Sequence, residues 1–158
     1  KQTKAFLSYK DIREHTALYN LQEENLTPLD IRRIITEIRS RKLPDPKDVG
    51  TVGSFFKNPI VSKEKFDALA HIYNGLPGYA VGKNEIKIPI AWVIDTICKK
   101  KGFTRDNIGV YDKQALVIVN YGAATAEHIK QFADDIRKDI KRRIGIEVEY
   151  EISFVGDF

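Results

Sequence analysis

The stretch around which the chain is organised runs from Lys42 to Pro59 and reads KLPDPKDVGTVGSFFKNP. Proline fixes one backbone angle, whereas glycine permits conformations and close approaches that other residues resist. The stretch holds both kinds of residue, namely Pro44, Pro46, Pro59, Gly50 and Gly53. Rigid and permissive residues side by side predict a loop held in one shape. Such a loop would present Ser54, which directly follows a glycine, to a ligand.

Periodic apolar residues on both sides of this loop predict the other elements. Apolar intervals of three and four, with capping residues, predict helices that begin near Ser8, Thr27, Ser62, Pro89 and Thr125. Apolar or alternating runs predict strands at residues 54–57, 79–82, 85–88, 108–112, 115–120 and 146–154. Residues 115–120 are apolar on both faces, which is typical of a central strand. We therefore predict one α+β domain, in which a mixed sheet of about five or six strands packs with about four helices.

Composition narrows the class of protein. The 158 residues suit one domain, and 42% hydrophobic with 30% charged residues is ordinary for a globular chain. The only cysteine, Cys98, excludes an internal disulfide framework and fits a reducing compartment such as the cytoplasm. No apolar run approaches the roughly 20 residues that span a bilayer. Because methionine is absent and the chain starts with lysine, we expect a piece of a longer protein, with residues 1–26 as a lead-in segment.

Two kinds of side chain are candidates for proton transfer. Ser54 is either a proton donor or ligand contact, or a turn serine that satisfies nearby backbone groups. It is not the nucleophile elbow of hydrolases, because Phe56 stands where that motif needs a second glycine. Glu147, Glu149 and Glu151 share one face of the last predicted strand. They form either a solvated row or, where a pocket covers one, a carboxyl whose pKa is raised by burial and like charge. The pattern does not choose among the three.

Basic residues and histidines offer weaker signals. Residues Lys99–Lys101 end the helix predicted from Pro89, where they either bind phosphate or complement the helix dipole. The net charge of +4 would suit a phosphate-bearing ligand. No Walker loop, dinucleotide-binding glycine motif or zinc-ligand spacing occurs, and the histidines at 15, 71 and 128 are scattered. We therefore predict no metal site.

Five runs of sequence occur in an order that resembles one known family. They are KLPDP from Lys42, GSFFKNP from Gly53, IPIAWVID from Ile88, QALVIVN from Gln114 and EYEISFVG from Glu149. Together they resemble the C-terminal part of UDP-N-acetylenolpyruvoylglucosamine reductase (UDP-N-acetylmuramate dehydrogenase). This is a flavoenzyme of bacterial peptidoglycan synthesis. The resemblance covers essentially the whole chain.

The resemblance implies that residues 1–158 are the substrate-binding domain of a cytoplasmic oxidoreductase that uses NADPH and FAD. It implies that Ser54 donates a proton and that Glu151 is the carboxyl that assists at the developing carbanion. The substrate-binding residues that it implies are Lys42, beside the substrate carboxylate, and Asn58, Lys101 and Gln114, near the sugar or diphosphate.

The family's FAD-binding part lies N-terminal and is absent from this sequence. The resemblance therefore implies no cofactor-binding residue here, and we expect the isolated chain to bind no FAD and to turn nothing over. The expected partners are UDP-N-acetylglucosamine enolpyruvate and the missing FAD-binding domains, with neither nucleic acid nor membrane.

Two other functions compete with this interpretation. A mildly basic chain with scattered aromatic residues is also compatible with a small module that binds a phosphorylated or nucleic-acid ligand, although no RNA-binding signature occurs. A purely structural or interaction domain is the second alternative. In that case Ser54 and Glu151 would be replaceable.

Overall fold

The computed structural model describes residues 10–19, 22 and 25–156. The chain divides into two compact units, Lys1–Leu43 and Pro44–Phe158. The first unit thus extends beyond the predicted lead-in segment 1–26, and the division falls inside the proline-rich stretch.

The described part of the first unit contains two helices, α1 (Lys10–Leu18) and α2 (Pro28–Lys42). The predicted start of α2 is confirmed, because Thr27 and Asp30 form a reciprocal capping box ahead of the first turn. The imidazole Nε2 of His15 lies 3.0 Å from a carboxylate oxygen of Glu37, which ties the two helices together. The predicted cap of α1 at Ser8 lies outside the described residues.

The second unit contains the sheets and the remaining helices. In chain order its elements are β1 (Gly50–Ser54), β2 (Ile60–Ser62), α3 (Lys63–Ile72), β3 (Tyr79–Gly82), β4 (Glu85–Lys87), α4 (Ile90–Trp92), a π-helical segment (Val93–Ile97), β5 (Thr104–Arg105), β6 (Ile108–Val110), β7 (Val117–Asn120) and α5 (Ala126–Ile144). The α+β class is confirmed.

The strands form two sheets, not the one mixed sheet that the sequence predicts. One sheet has the order β1-β7-β6-β5 and the other β2-β4-β3. Every pairing among the described strands is antiparallel. The physical reason is connection length: β3–β4, β5–β6 and β6–β7 are each joined by a short turn, whereas parallel pairing needs a long crossover. The predicted central position of β7 is confirmed, since it lies between β1 and β6.

Two predicted strands next to the candidate site are wrong in extent. Residues 50–54, which were predicted as part of a loop, form β1, and the strand predicted at 54–57 ends at Ser54. Residues 146–154 form an extended segment with one isolated bridge, Tyr150 to Phe56. The alternation that predicted a strand is real, because Ile146 and Val148 are buried between exposed glutamates. Phe55 and Phe56 are consecutive and both buried, so both faces of the backbone after Ser54 are covered by other parts of the protein.

Helix ends follow their predicted chemistry. The Ser62 side chain accepts a hydrogen bond from the Lys65 amide to cap α3, and the Thr125 side chain caps α5 in the same way. Gly145 ends α5 in the left-handed conformation, at φ 64°. The helix predicted from Pro89 differs in form, because it continues as a π-helix after three α-helical residues. There the Cys98 amide donates a hydrogen bond to the Val93 carbonyl, five residues earlier.

The core of the second unit joins the sheets, the π-helical segment and α5 around an aromatic cluster. We define this cluster as Phe55, Phe56, Tyr150 and Phe154. Phe55 and Phe56 are each 1% exposed and meet edge-on, and Tyr150 stacks on Phe56 with ring centroids 5.7 Å apart. The cluster connects the end of β1 with the C-terminal extended segment.

Replacing Phe56 by alanine is expected to lower the free energy of unfolding by about 3–5 kcal/mol, since it removes a fully buried ring and leaves a cavity. Chemical denaturation measures this. The control is Tyr79→Ala, which truncates an exposed aromatic side chain and should change stability by about 0.5 kcal/mol or less. Equal effects of the two substitutions would contradict the assigned core.

Candidate functional site

Ser54 is positioned by a β-bulge at the end of β1. Thr51 pairs with Val119, but Ser54 pairs with Val117, so β1 holds one extra residue in this interval. Gly53 accommodates the bulge at φ 82°, and its amide donates to the Thr51 hydroxyl oxygen at 3.1 Å. The bulge leaves Ser54 exposed at the edge of the four-stranded sheet. Among the described residues, no group forms a hydrogen bond with the Ser54 hydroxyl, which remains available to a ligand.

The backbone that follows Ser54 forms hydrogen bonds with two other segments of the chain. The Phe55 amide donates to the Leu116 carbonyl at 3.0 Å, and the Phe55 carbonyl accepts from the Glu151 amide at 3.0 Å. The Lys57 amide also donates to the Glu149 carbonyl at 2.9 Å. These bonds place Glu151 beside the residue that follows Ser54. The structure thus brings the predicted hydroxyl and the predicted carboxyl to adjacent lengths of backbone.

The three glutamates of the C-terminal segment have different electrostatic partners. Glu147 pairs with Lys141 at 2.8 Å, and this hydrogen-bonded lysine lowers the pKa of the Glu147 carboxyl. Glu149 pairs with Lys57 at 3.0 Å. Within the part of the chain that the structure describes, Glu151 is the member of the row without an ion pair. Its carboxylate is exposed. The pairing therefore separates Glu151 from its neighbours, a distinction that strand periodicity alone could not make.

Gln114 and Lys101 belong to segments at the same end of the four-stranded sheet as Ser54. Gln114 lies in the connection between β6 and β7, two residues before Leu116, whose carbonyl bonds the Phe55 amide. Gly102, next to Lys101, donates its amide to Val110 at the end of β6. The register places these segments together, because Val117 pairs with Ser54 and Ile118 pairs with Val110.

Asn58 and Lys101 each have one polar partner that orients the side chain. The Asn58 amide oxygen accepts a hydrogen bond from the Ile90 amide at 2.9 Å, which satisfies the first turn of α4. The nitrogen of the same carboxamide carries two further N–H donors. The Lys101 ammonium lies 3.1 Å from the Asp95 carboxylate. Both side chains are exposed.

Lys42 belongs to the first unit, where it ends α2. Its ammonium lies 2.6 Å from the Asp11 carboxylate. Its predicted contact with the substrate carboxylate stays a prediction.

An apolar groove of about 420 Å³ is lined by residues next to Ser54 and Glu151 in the chain, although neither of these two lines it. Its lining includes their chain neighbours Phe55 and Ile152, together with Ile118 from β7 and Ile129 from α5. The site thus combines exposed polar groups with an apolar recess beside them. That combination is typical of small-molecule sites.

Sequence patterns missed several residues that build this site. Thr51 stabilises the bulge through its hydroxyl, which donates to the Ile118 carbonyl at 3.1 Å. Asp134 and Arg137 on α5 contact the segment that carries Glu151. The Thr-x-Gly-Ser spacing of residues 51–54 contains a hint of the bulge. Nothing in the local sequence indicates the long-range contacts of α5.

The described residues contain no cluster of three or more histidine, cysteine or acidic side chains that could hold a metal ion. No helix in the described part of the chain has both the length and the apolar character needed to cross a bilayer.

Replacing Gly53 by alanine is expected to lower the free energy of unfolding by about 1–2 kcal/mol, because an alanine at φ 82° is strained. A new Cβ would meet nothing within 4 Å, so the cost is one of backbone angle and not of space. Gly50→Ala is the matched control: its Cβ would lie 3.5 Å from Asn120, and the change should leave stability level or raise it by about 0.4–1 kcal/mol. Denaturation midpoints that shift equally in both variants would contradict the bulge.

Known proteins share much of this sequence. Residues 45–155 match the family described as "UDP-N-acetylenolpyruvoylglucosamine reductase, C-terminal domain". A reductase of that name from Porphyromonas gingivalis is 40% identical over 137 residues, which cover 85% of this chain and 40% of the relative. The one from Chromobacterium violaceum is 42% identical over 125 residues, or 79% of this chain and 36% of the relative. The one from Pseudomonas aeruginosa is 37% identical over 154 residues, or 96% of this chain and 44% of the relative.

The chain therefore spans less than half the length of these relatives. The family match covers the bulge, Ser54 and the C-terminal segment through residue 155. From the match and these identities together, the chain belongs to the UDP-N-acetylenolpyruvoylglucosamine reductase family, as its C-terminal domain.

Proposed function

We propose that this chain is the substrate-binding and proton-donating domain of a reductase that converts UDP-N-acetylglucosamine enolpyruvate to UDP-N-acetylmuramate. NADPH and FAD are the proposed reductants, and peptidoglycan synthesis in the cytoplasm is the proposed setting. The observation that carries the proposal is the hydrogen bond from the Glu151 amide to the Phe55 carbonyl. It holds the backbone of Glu151 next to Phe55, the residue that follows Ser54.

The proposed reaction adds two electrons and two hydrogens to the enolpyruvyl double bond. Hydride joins the terminal vinyl carbon, and the electron pair of the double bond moves to the carbon that bears the carboxylate. A proton then joins that carbon, while NADPH becomes NADP⁺ and one proton is taken from water. FAD, when bound, supplies the hydride chemistry. Because the sequence contains no glycine-rich phosphate loop, no residue of this chain is assigned to FAD or NADPH.

Ser54 is the proposed proton donor. Its hydroxyl has no hydrogen-bond partner among the described residues, so it can turn toward a substrate carbon. An ordinary hydroxyl is a very weak acid, and nearby positive charge or a relay must assist its loss of a proton. Lys42 and Lys57 are the candidates for this charge. Lys57 lies three residues from Ser54, although its ammonium is paired with Glu149 at 3.0 Å.

Glu151 is the proposed group at the developing carbanion. A carboxyl assists there only in its neutral form, since a carboxylate would repel the charge. In this chain Glu151 is exposed, with Glu149 as its neighbour in the row. Covering Glu151 with substrate and with the rest of the protein would disfavour the charged form by desolvation.

The proposed substrate contacts divide by chemistry. Lys101 is a point charge that suits the diphosphate, and Lys42 suits the substrate carboxylate. Asn58 and Gln114 have carboxamides that suit the sugar hydroxyls or the diphosphate oxygens. The proposed partner is the FAD-binding part of the same protein, which would correspond to the length of the relatives that this chain does not span.

In the complete reductase, Ser54→Ala is expected to slow reoxidation of the reduced flavin by substrate at least about 100-fold, because a positioned general acid contributes that much. Reduction of the flavin by NADPH should proceed at the wild-type rate. Stopped-flow absorbance follows both half-reactions. Ser40→Ala, which removes an exposed hydroxyl from α2, is the control and should leave both rates unchanged. Equal slowing of both half-reactions by Ser54→Ala would eliminate the proposed role.

Titration of the isolated ¹⁵N-labelled chain with UDP-N-acetylglucosamine enolpyruvate is expected to shift the amide signals of Ser54, Asn58 and Gln114. Signals in α3, such as that of His71, should stay in place. The purified chain should show no flavin absorbance. Binding of single-stranded RNA that weakens with salt, together with no response to the UDP-sugar, would instead favour the nucleic-acid module.

A further inference from the structure

Tyr150 connects the segment that carries Glu151 to helix α5. We propose that Tyr150, Asp134 and Arg137 are positioning residues, which set the place of Glu151 relative to Ser54 from outside the site. This inference rests on the proposed function for the meaning of that placement. The Tyr150 hydroxyl donates to the Asp134 carboxylate at 2.5 Å, and the ring stacks on Phe56 with centroids 5.7 Å apart. One side chain thus contacts both α5 and the residue that follows Phe55.

Arg137 holds the same segment through its backbone. Its Nε donates to the Val148 carbonyl at 3.0 Å, and its guanidinium carbon lies 4.7 Å from the centre of the Tyr150 ring. One of its terminal nitrogens also lies 3.2 Å from the Asp134 carboxylate. The three side chains therefore contact one another and hold the segment at Val148 and Tyr150, just before Glu151.

These contacts add to a short stretch of backbone pairing and to the aromatic packing that hold the segment near Glu151. The described backbone forms one isolated bridge there, flanked by the bonds from the Lys57 amide and the Glu151 amide. A strand in a sheet is fixed by a continuous ladder of backbone hydrogen bonds, whereas this segment pairs only briefly and is also held by its side chains. Displacement of a reacting group by about 1 Å can slow catalysis about 100-fold.

Helix α5 is a firm base for this bracing. The core-facing side of this helix is fixed by packing, because its residues there are no more than 2% exposed, namely Phe132, Ile136 and Ile140. Asp134 also accepts from the Lys130 ammonium at 3.2 Å. Although burial opposes it, the hydrogen bonds from Tyr150 and Lys130 lower the pKa of the Asp134 carboxyl. The pKa of Tyr150 is raised to about 12, mainly by burial and to a smaller extent by the hydrogen bond to Asp134. Donor and acceptor therefore keep their roles through neutral pH.

Tyr150→Phe is the test, because it keeps the ring in the aromatic cluster and removes only the bond to Asp134. The matched control is Tyr73→Phe, which removes another tyrosine bond to α5, from the Tyr73 hydroxyl to the Arg143 carbonyl at 2.9 Å. In the isolated chain, amide hydrogen exchange at Glu151 is expected to speed up about ten-fold in Tyr150→Phe relative to exchange at Val119. Tyr73→Phe should leave this ratio at its wild-type value. A Tyr150→Phe ratio equal to wild type would overturn the inference.

A second measurement separates positioning from simple stabilisation. In the complete reductase, Tyr150→Phe is expected to lower kcat about ten-fold or more while KM stays within about two-fold. Activity per folded molecule that matches wild type would mean a structural role only, and would overturn the inference. The proposed function fails separately, if Ser54→Ala spares flavin reoxidation by substrate. In that case the exchange ratio still decides whether Tyr150 holds this segment.

Discussion

The burial of two consecutive phenylalanines is the constraint on which the site depends. Phe55 and Phe56 are each 1% exposed, although a regular strand sends neighbouring side chains to opposite faces. Both faces at this point must therefore be covered. Tyr150 and Phe154 of the C-terminal segment supply part of the cover, with Phe154 edge-on to both Phe55 and Tyr150. Because the aromatic cluster joins two segments nearly a hundred residues apart in sequence, it also determines which polar residues become neighbours.

Local chemistry explains why so much of the fold could be predicted. The caps at Thr27, Ser62 and Thr125 and the left-handed end at Gly145 depend on residues within one turn of each helix, so the sequence displays them directly. The central position of β7 could be predicted because a strand covered on both faces has to be apolar throughout. The arrangement of the strands into two sheets could not be predicted. Periodicity reports which face of a strand is buried, but it carries no information about which strand lies beside it.

The candidate site shows the same division between local and distant causes. The predicted loop around Gly53 and Ser54 was wrong in form, because residues 50–54 are strand β1; only the special backbone angle of Gly53 could be predicted, since it is a local feature. The choice of Glu151 within its row required the resemblance, because the three glutamates are equivalent in periodicity. In the structure they differ in their basic partners: Glu147 pairs with Lys141 and Arg137 of α5, and Glu149 pairs with Lys57 from the segment after the bulge. The predicted last strand was wrong in form for a related reason, since aromatic packing replaces most of the ladder.

The electrostatics of the proposed reaction require more than this chain supplies. Ser54 and Glu151 are both exposed here, so water would solvate any charge that forms near them. In water a serine hydroxyl does not give up its proton to a carbon centre, and a carboxyl stays ionised at neutral pH. Both proposed roles need a site from which water is excluded. Rigid packing in this chain fixes the backbone contact between Phe55 and Glu151. On the proposed function, the groups that cover this surface would have to supply the desolvation, because the chain itself leaves both side chains exposed.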